Sequence, residues 1–178
     1  NNQLIFSGKL YSKFAVLKIS YNNGTVVHYD EYFIQSLPSE IIFTSDADFS
    51  EDGNFHYSKL KNATEIYQSK IAQQRNEFSK QEADEMTRFW EKNSAAFGKT
   101  DSLKNIFYEK LNNINKRDID FIKKNRDEYY SFWLFRTQVI PNTFINKNAS
   151  IEDFKNLLNV YNTTFPSPYK ESAVGKRI

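Results

Sequence analysis

The spacing of apolar residues changes near residue 60, and this change constrains the fold more than any other feature of the sequence. Before it, short runs of β-branched and aromatic residues, such as residues 14–19 and 25–29, alternate with turn residues. After it, apolar residues recur every three or four positions, which is the period of an amphipathic helix. The sequence therefore predicts an α+β fold, with an N-terminal antiparallel β-sheet followed by a C-terminal helical segment of about five helices.

Two subdomains follow from that change of period. Residues 1–57 are predicted to form an antiparallel β-rich subdomain of about four to six strands, and residues 58–178 a helical subdomain. The stretch Asn22-Asn23-Gly24 supplies the residues with positive φ that a tight hairpin needs, so the strands on either side of it should pair. Strands are predicted at residues 4–6, 14–19, 25–29, 32–34, 41–44 and 55–57.

Capping signals and prolines mark the predicted helix boundaries. Ser79 with Glu82 forms a capping-box pattern, Ser150 is the predicted N-cap of a later helix with Asp153 at its third position, and Pro141 is expected to end the helix that starts at Asp127. The first helical stripe is predicted to comprise Leu60, Ala63, Tyr67, Ile71 and Phe78, and the inner face of the helix after Ser150 to comprise Ile151, Phe154, Leu157, Leu158 and Tyr161. The residues expected to be buried in the core are Phe107, Leu111, Ile114, Phe121, Trp133 and Leu158.

A dense aromatic cluster around Trp133 is open to two interpretations. Tyr129, Tyr130, Trp133 and Arg136 could line an interaction surface, because Trp, Tyr and Arg are the commonest binding anchors. At helical spacing, however, Tyr129, Trp133 and Arg136 share one face with Phe132, which is typical of a core stripe. The spacing favours the core, and the interaction surface stays as the alternative.

The composition excludes several kinds of chemistry. The chain has no cysteine, so it can form neither a thiolate nucleophile nor a zinc–thiolate site. His28 and His56 are its only histidines, and neither has a second ligand nearby in the sequence. Residues 48–55 resemble the start of a calcium-binding loop, but Lys59 stands where the bidentate Glu is required. No catalytic, cofactor-binding or metal-ligating residue is therefore predicted, and a turn explains the calcium-like pattern.

The charges and hydropathy limit the partners in the same way. There are 24 Lys and Arg against 22 Asp and Glu, and the two signs are interleaved, as in residues 115–120. This pattern is typical of a solvated face, so no nucleic-acid partner is predicted. No apolar run approaches the roughly 20 residues of a membrane span, so no transmembrane segment is predicted. The first residue, Asn1, suggests a processed or trimmed N-terminus, as removal of a secretion signal would leave.

The last residues of the sequence read as a helix that has begun but not ended. Ser167 is a candidate N-cap and Pro168 suits the first helical position, yet no closing signal follows. Val174 and Ile178 would lie one turn apart on the apolar face of this helix. The sequence thus predicts that the partner of this face lies in residues after Ile178, that the segment is frayed or held by a neighbour, and that an apolar patch surrounds it.

The C-terminal half resembles a known architecture. The stretches FIKKNRDEYYSFWL (121–134) and YNTTFPSPYKES (161–172), together with Gly175-Lys176, resemble the segment that precedes the thioredoxin domain in TlpA-like, AhpC/TSA-type cell-envelope proteins of Gram-negative bacteria. In those proteins a β-rich N-terminal domain leads into a helical segment, and the redox domain with its Cys-x-x-Cys follows. The matching motifs are helix-boundary patterns, so the resemblance carries over no functional residue.

That resemblance implies a function without chemistry of its own. The chain would be a non-catalytic accessory domain of a thiol-disulfide oxidoreductase that positions a thioredoxin-like domain after residue 178, binds a protein substrate or mediates homodimerisation. It would lie in the cell envelope or periplasm, where a removed N-terminal segment could have provided a lipid anchor. The alternatives are a free-standing envelope binding protein and an enzyme using Asp, Glu, Tyr and Lys alone, which would need two carboxylates with opposed pKa shifts in one cleft.

Overall fold

The computed structural model describes residue 5 and residues 14–22, 27–43 and 57–178, and it has the predicted α+β class. It divides into two compact units, Asn1–Ser69 and Lys70–Ile178. The first unit holds the described strands and the second the helices. The strands continue past residue 57, up to Glu65, so the change from sheet to helix comes later than the sequence pattern placed it.

The central strand of the first unit pairs on both of its edges. Strand β1 (Phe14–Asn22) runs antiparallel to β2 (Val27–Gln35), with Phe14 opposite Gln35 and Asn22 opposite Val27. The other edge of β2 pairs antiparallel with the short β5 (Ala63–Glu65), which gives the sheet order β1-β2-β5. This confirms the predicted pairing of the two strands that flank Asn22-Asn23-Gly24; the turn itself, residues 23–26, lies outside the described residues.

A second, two-stranded sheet joins β3 (Glu40–Phe43) to β4 (Tyr57–Lys61), antiparallel and with an irregularity between Ile42 and Phe43. The strand predicted at residues 41–44 is thus confirmed, and the strand predicted at residues 55–57 is observed at Tyr57–Lys61. The connection between β3 and β4, residues 44–56, lies outside the described residues, and so do His56 and the whole calcium-like stretch, residues 48–55. The strand predicted at residues 4–6 also falls there, apart from Ile5.

The prediction of a helix from residue 60 is wrong. Leu60 lies in β4 and Ala63 in β5, and the first helix begins at Lys70. Asn62 between the strands has a φ of 51°, a left-handed conformation that a helix does not tolerate and that Asn adopts more readily than most residues. Its side-chain amide donates to the carbonyl of Pro38 at 2.7 Å, which fixes the turn from β4 into β5.

The second unit is helical throughout its described length. Its α-helices are α1 (Lys70–Phe78), α2 (Lys80–Asn93), α3 (Asp101–Lys124), α4 (Tyr129–Leu134), α5 (Ile140–Ile145), α6 (Ile151–Thr164) and α7 (Ser167–Lys170). A π-helical turn, Phe135–Val139, joins α4 to α5 without a break. When α4, the π turn and α5 are counted as one helix, this part of the chain has five longer helices, as predicted. α7 adds a single turn.

Pro141 does not end a helix, contrary to the sequence prediction. It occupies the second position of α5, directly after the π turn, where the Ile140 amide donates to the Phe135 carbonyl five residues earlier. A proline inside a regular helix lacks one hydrogen bond and clashes with the carbonyl four residues before it. The wider π turn changes the spacing at that point, so the chain continues through Pro141.

The capping predictions divide into one confirmed and one wrong. Ser150 and Asp153 form a full capping box at the start of α6, with Asp153 N donating to Ser150 Oγ at 3.3 Å and Ser150 N donating to Asp153 Oδ2 at 2.7 Å. Ser79 makes no such cap for α2. Its hydroxyl instead donates to the Arg75 carbonyl at 2.9 Å, so a single residue bends α1 into α2.

The core prediction is confirmed for Leu111, Phe121 and Trp133, which are buried, whereas Phe107 and Ile114 are half-buried. Leu158 is exposed, and that prediction is wrong. Successive helical residues point about 100° apart, so Leu157 and Leu158 cannot both face inward. Leu157 and Val160 take the buried side of α6, and Ile151 is consequently exposed as well.

Candidate interaction surface

Two of the residues predicted to form an interaction surface are part of the core. Tyr130 and Trp133 on α4 are almost completely buried, with their rings 5.4 Å apart, and Tyr130 lies edge-on to Phe121 of α3 at 6.5 Å. Burial of large aromatic rings is what stabilises this helix against α3. An interaction role is therefore wrong for Tyr130 and Trp133, and the core interpretation of the aromatic cluster is correct for them.

Tyr129 and Arg136 are placed differently from those two. Both are half-buried; burial raises the pKa of Tyr129, and the Arg136 guanidinium opposes that rise. The Tyr129 ring meets Tyr169 edge-on at 5.6 Å. The Nε atom of Arg136 is buried without a hydrogen-bond partner. Tyr129 and Arg136 thus lie between the core and the solvent-exposed surface of the protein, and their role in binding stays a prediction.

The terminal strap, residues 166–178, covers one side of this aromatic cluster. Tyr169 packs on Phe132 with ring centroids 5.6 Å apart, and its hydroxyl donates to the Asp127 carbonyl at 2.6 Å. The hydroxyl of Tyr161 donates to the Gly175 carbonyl at 2.9 Å, which ties the strap to α6. The strap is thus packed against the helical unit, and the expectation of a frayed segment is wrong.

The predicted helix from Ser167 to Ile178 is also wrong. α7 ends at Lys170, and a 3-10 turn, Gly175–Arg177, follows after a bend. The hydroxyl of Ser172 donates to the Tyr169 carbonyl at 2.6 Å and accepts from the Gly175 amide at 3.0 Å. The Ser172 side chain therefore ends α7, although the sequence shows no recognisable C-terminal capping residue there. Val174 is half-buried and Ile178 partly exposed, and they share no helical face.

Apolar side chains are exposed together elsewhere, where α5 leads into α6. The exposed fractions are 69% for Phe144, 58% for Ile145, 78% for Ile151 and 56% for Leu158. Phe144 packs on the half-buried Phe154 with ring centroids 5.1 Å apart, which connects the two helices. We call these four exposed residues the α5–α6 apolar surface. Ile151 and Leu158, seven residues apart, lie on the same side of α6, and large exposed apolar patches mark interaction sites in soluble proteins.

The segment that carries this surface is held firmly in place. The loop between α5 and α6 is closed by the Asn148 amide, which donates to Asn146 Oδ1 at 2.9 Å, and by the capping box at Ser150. The Asn148 side chain also donates to Asn105 of α3 at 3.3 Å. These bonds order the loop that connects Phe144 to Ile151.

The sequence contained a signal for this surface that the helical spacing alone did not bring out. α6 carries large apolar residues over an arc wider than the side it buries, because Leu157 and Leu158 point about 100° apart and Ile151 lies about 20° beyond Leu158. A helix of this kind must either be buried on two sides or leave one side exposed. Adjacent leucines at 157 and 158 are the specific indication.

Charged groups cluster at the bend between α1 and α2. Arg75 binds Asp118 of α3 through two bonds, Nε to Oδ1 at 2.8 Å and Nη2 to Oδ2 at 2.7 Å. Burial raises the pKa of the Asp118 carboxyl and the Arg75 guanidinium opposes the rise. Arg117 Nε donates to the Phe78 carbonyl at 2.8 Å and its guanidinium lies 4.0 Å from the centre of the Phe78 ring. Every one of these contacts holds the bend to α3.

An open groove of about 390 Å³ lies beside the bend. It is lined by Gln73, Arg75, Asn76, Glu77, Ser79, Lys80, Ala83 and Asp84. Its charged side chains are of both signs and the strongest of them, Arg75, is already paired with Asp118. The groove therefore does not have the convergent polar groups that define a binding or catalytic site.

Among the described residues of the first unit, two carboxylates are buried, those of Asp30 and Glu65, and they bear on the enzyme alternative. Both oxygens of Glu65 accept backbone amides of the turn that follows, those of Tyr67 at 2.9 Å and of Gln68. Burial raises the pKa of Glu65, and Asp30, which accepts from the Tyr32 hydroxyl at 3.1 Å, adds to the rise. Glu65 thus holds a turn with both of its oxygens, which makes it a structural carboxylate.

Over residues 14–22, 27–43 and 57–178, no three His, Cys, Asp or Glu side chains come together in a way that could hold a metal ion. None of the helices in this same part of the chain has both the length and the apolar character to cross a membrane.

No family model, curated protein or solved structure matches the chain. Among the described residues, the α5–α6 apolar surface is the feature from which we infer a function.

Proposed function

We propose that the chain is a non-catalytic accessory module of a thioredoxin-like oxidoreductase of the cell envelope, and that its helical unit binds a protein. The observation that carries the binding role is the α5–α6 apolar surface, whose four side chains are each more than half exposed. An exposed apolar surface of this kind supports association with another protein surface. The absence of cysteine from the whole sequence supports a role without thiol chemistry.

The resemblance to TlpA-like proteins supports the oxidoreductase context. The residues that carry it are packing residues in this structure: Phe121, Phe132 and Trp133 are buried. The second stretch forms the end of α6 and the terminal strap, where Tyr161 and Gly175 are joined by a hydrogen bond.

A free-standing envelope binding protein is the second candidate, and the same surface favours it. The two candidates differ in whether the surface serves a redox domain of the same polypeptide. Both place the chain in the cell envelope, with a lipid anchor through a removed N-terminal segment as part of the proposal.

The test uses the full-length gene product. The coding sequence after Ile178 is read for a Cys-x-x-Cys, and the full protein is assayed for reduction of insulin disulfides and of a small disulfide. We expect Ile151→Glu to impair the reaction with a protein substrate and to leave the small-disulfide reaction unchanged. A full-length protein without Cys-x-x-Cys excludes the accessory module and leaves the binding protein. Unchanged activity after deletion of residues 1–178 would contradict the accessory role.

A further inference from the structure

We propose that the terminal strap is a hinged cover, which swings away from the helical unit as one folded piece and exposes Phe132. The strap and the α5–α6 apolar surface are different parts of that unit, so this motion does not depend on the proposed function. Three features of the strap support it: the acceptors of its backbone amides, the few contacts that attach it and the extended backbone at its start.

The backbone hydrogen bonds of the strap end inside the strap. Within the described part of the chain, each bonded amide donates to a carbonyl of the strap itself: Tyr169 and Lys170 to Pro166, Glu171 to Ser167, Ser172 to Tyr169, Lys176 to Ser172, Arg177 to Val174 and Ile178 to Gly175. A segment paired with itself in this way can leave the rest of the protein without leaving its amides unpaired.

The strap is also packed against itself. Ser172 and Gly175 are buried, and the Ser172 hydroxyl joins the Gly175 amide to the Tyr169 carbonyl. Gly175 lies so close to the carbonyl oxygens of Tyr169 and Lys170 that a Cβ atom would overlap them. The strap therefore has a compact fold of its own, which its departure from the helices would not disturb.

Few polar contacts attach the strap to the helices. In the region that the structure describes, its hydrogen bonds to the helical unit join Tyr169 to Asp127 at 2.6 Å, Lys170 to Asn162 at 2.9 Å and Tyr161 to Gly175 at 2.9 Å. Each pairs a side chain with a backbone carbonyl, and the first two are exposed. Water can replace an exposed bond of this kind, so its net contribution is small.

The ring of Tyr169 is the apolar attachment of the strap. It packs on Phe132 with ring centroids 5.6 Å apart and meets Tyr129 edge-on at 5.6 Å. Phe132 is only 1% exposed, and its other aromatic neighbours include Phe165 at 5.4 Å. When Tyr169 leaves with the strap, Phe132 loses its cover on one side while its contact with Phe165 remains.

The chain between α6 and the strap can act as the hinge. Phe165 ends α6 with extended backbone angles, φ −85° and ψ 141°, and Pro166 follows with φ −60° and ψ 148°. Phe165 is buried, so it stays with the helices. Pro166 has no amide hydrogen, so rotation between these two residues breaks no bond at Pro166. Residues at the ends of helices and strands are the usual hinge positions.

The test uses the absence of cysteine from the sequence, because a single introduced thiol then reports alone. The Phe132→Cys chain is treated with iodoacetamide at increasing urea, and its global stability is measured by circular dichroism. We expect labelling about a hundredfold faster than global unfolding of the same chain allows, with a weaker dependence on urea. Val139→Cys is the control, since Val139 is completely buried within the π turn, and it should react through global unfolding alone.

Variants of Tyr169 test whether the strap is the part that moves. In the Phe132→Cys chain, Tyr169→Phe removes the bond to Asp127 and should speed labelling about fivefold. Tyr169→Ala also removes the ring and should speed it about thirtyfold or more. Tyr108→Phe is the matched control, because Tyr108 is half-buried on α3 and packs on Phe107, and it should leave the rate unchanged.

Two results would refute the hinged cover. One is labelling of Phe132→Cys with the rate and urea dependence of its own global unfolding. The other is a rate that Tyr169→Phe does not change. If Phe132→Cys does not fold, Phe165→Cys takes its place, because the Phe165 ring packs on Phe132, and the same two results decide.

Discussion

Arg75 and Asp118, 43 residues apart in the sequence, form a two-bond ion pair that joins α1 to α3. The Asp118 side chain is completely buried, and each of its two oxygens accepts one bond from the Arg75 guanidinium. Such a pair stabilises the fold only when its geometry is good, because the cost of removing each charge from water must be compensated by the other charge. It sits beside the bend at Ser79 and fixes the angle at which α1 meets α2.

Removal of one partner should therefore be costly. We expect Asp118→Ala to lower the free energy of unfolding by about 3 kcal/mol, since it leaves the partly buried Arg75 guanidinium without its carboxylate. Arg75→Met should cost a similar amount, and the double variant should cost clearly less than the two single changes added together. Urea unfolding of the four proteins gives the coupling, and additive costs would show that the pair contributes nothing as a pair.

A matched control comes from the pair of Lys59 and Glu40, with Nζ and Oε2 2.8 Å apart. The distance is almost the same, but both side chains are about half exposed. We expect Glu40→Ala to leave the unfolding midpoint unchanged within error, because water screens the pair.

The contrast between Trp133 and Leu158 tests the core. Trp133→Ala should destabilise the chain by about 3–5 kcal/mol, because it removes a buried aromatic ring from between α4 and its neighbours. Leu158→Ala should change stability by less than about 0.5 kcal/mol, since its side chain faces solvent. Thermal or urea unfolding compares the two. Equal losses would mean that α6 is rotated relative to the arrangement described.

Leu157 and Leu158 also show where prediction from sequence reached its limit. The period of apolar residues was enough to predict the α+β class and the long helices, because that period is a local property of the chain. It could not decide which of two adjacent leucines faces inward, since that depends on the position of α6 against its neighbours. The apolar surface was missed for this reason.

Ser79 and Ser150 make the same point for helix boundaries. Both precede an acidic residue at the third position, yet only Ser150 forms a capping box. At Ser79 the preceding helix α1 has just ended, and the Arg75 carbonyl of that helix accepts a hydrogen bond from the Ser79 hydroxyl. The pattern predicts the cap only where no nearby backbone group competes for the side chain.

The capping box at Ser150 should make the free energy of unfolding depend on pH. The backbone amide and the hydroxyl of Ser150 donate to Asp153 and lower the pKa of its carboxyl below 3.8. A carboxyl with a depressed pKa in the folded state stabilises at pH above its unfolded value and loses that contribution as pH falls through the folded value.

Asp153→Asn should therefore be less stable than the parent at neutral pH, and the difference should shrink as pH falls below about 3.8. Ser150→Ala should cost about 1 kcal/mol at neutral pH through the lost cap. Urea unfolding at several pH values measures both. A difference between parent and Asp153→Asn that does not change with pH would contradict the assignment.

Gly175 provides the last prediction, because the terminal strap depends on it. A Cβ atom at this position would overlap the carbonyl oxygen of Tyr169 and would lie 2.5 Å from that of Lys170. Backbone atoms cannot move away as a flexible side chain can, so Gly175→Ala should displace the strap and break the bond from the Tyr161 hydroxyl. Trypsin should then cleave faster at Lys170, which lies within the strap.

Gly98→Ala is the control for Gly175→Ala. Gly98 has a φ of 109°, and no atom lies within 4 Å of the place that a Cβ would take, so strain arises there without steric overlap. It should destabilise the loop before α3 and leave cleavage at Lys170 unchanged. Equal cleavage rates in Gly175→Ala and the parent would show that the strap is held without this close contact.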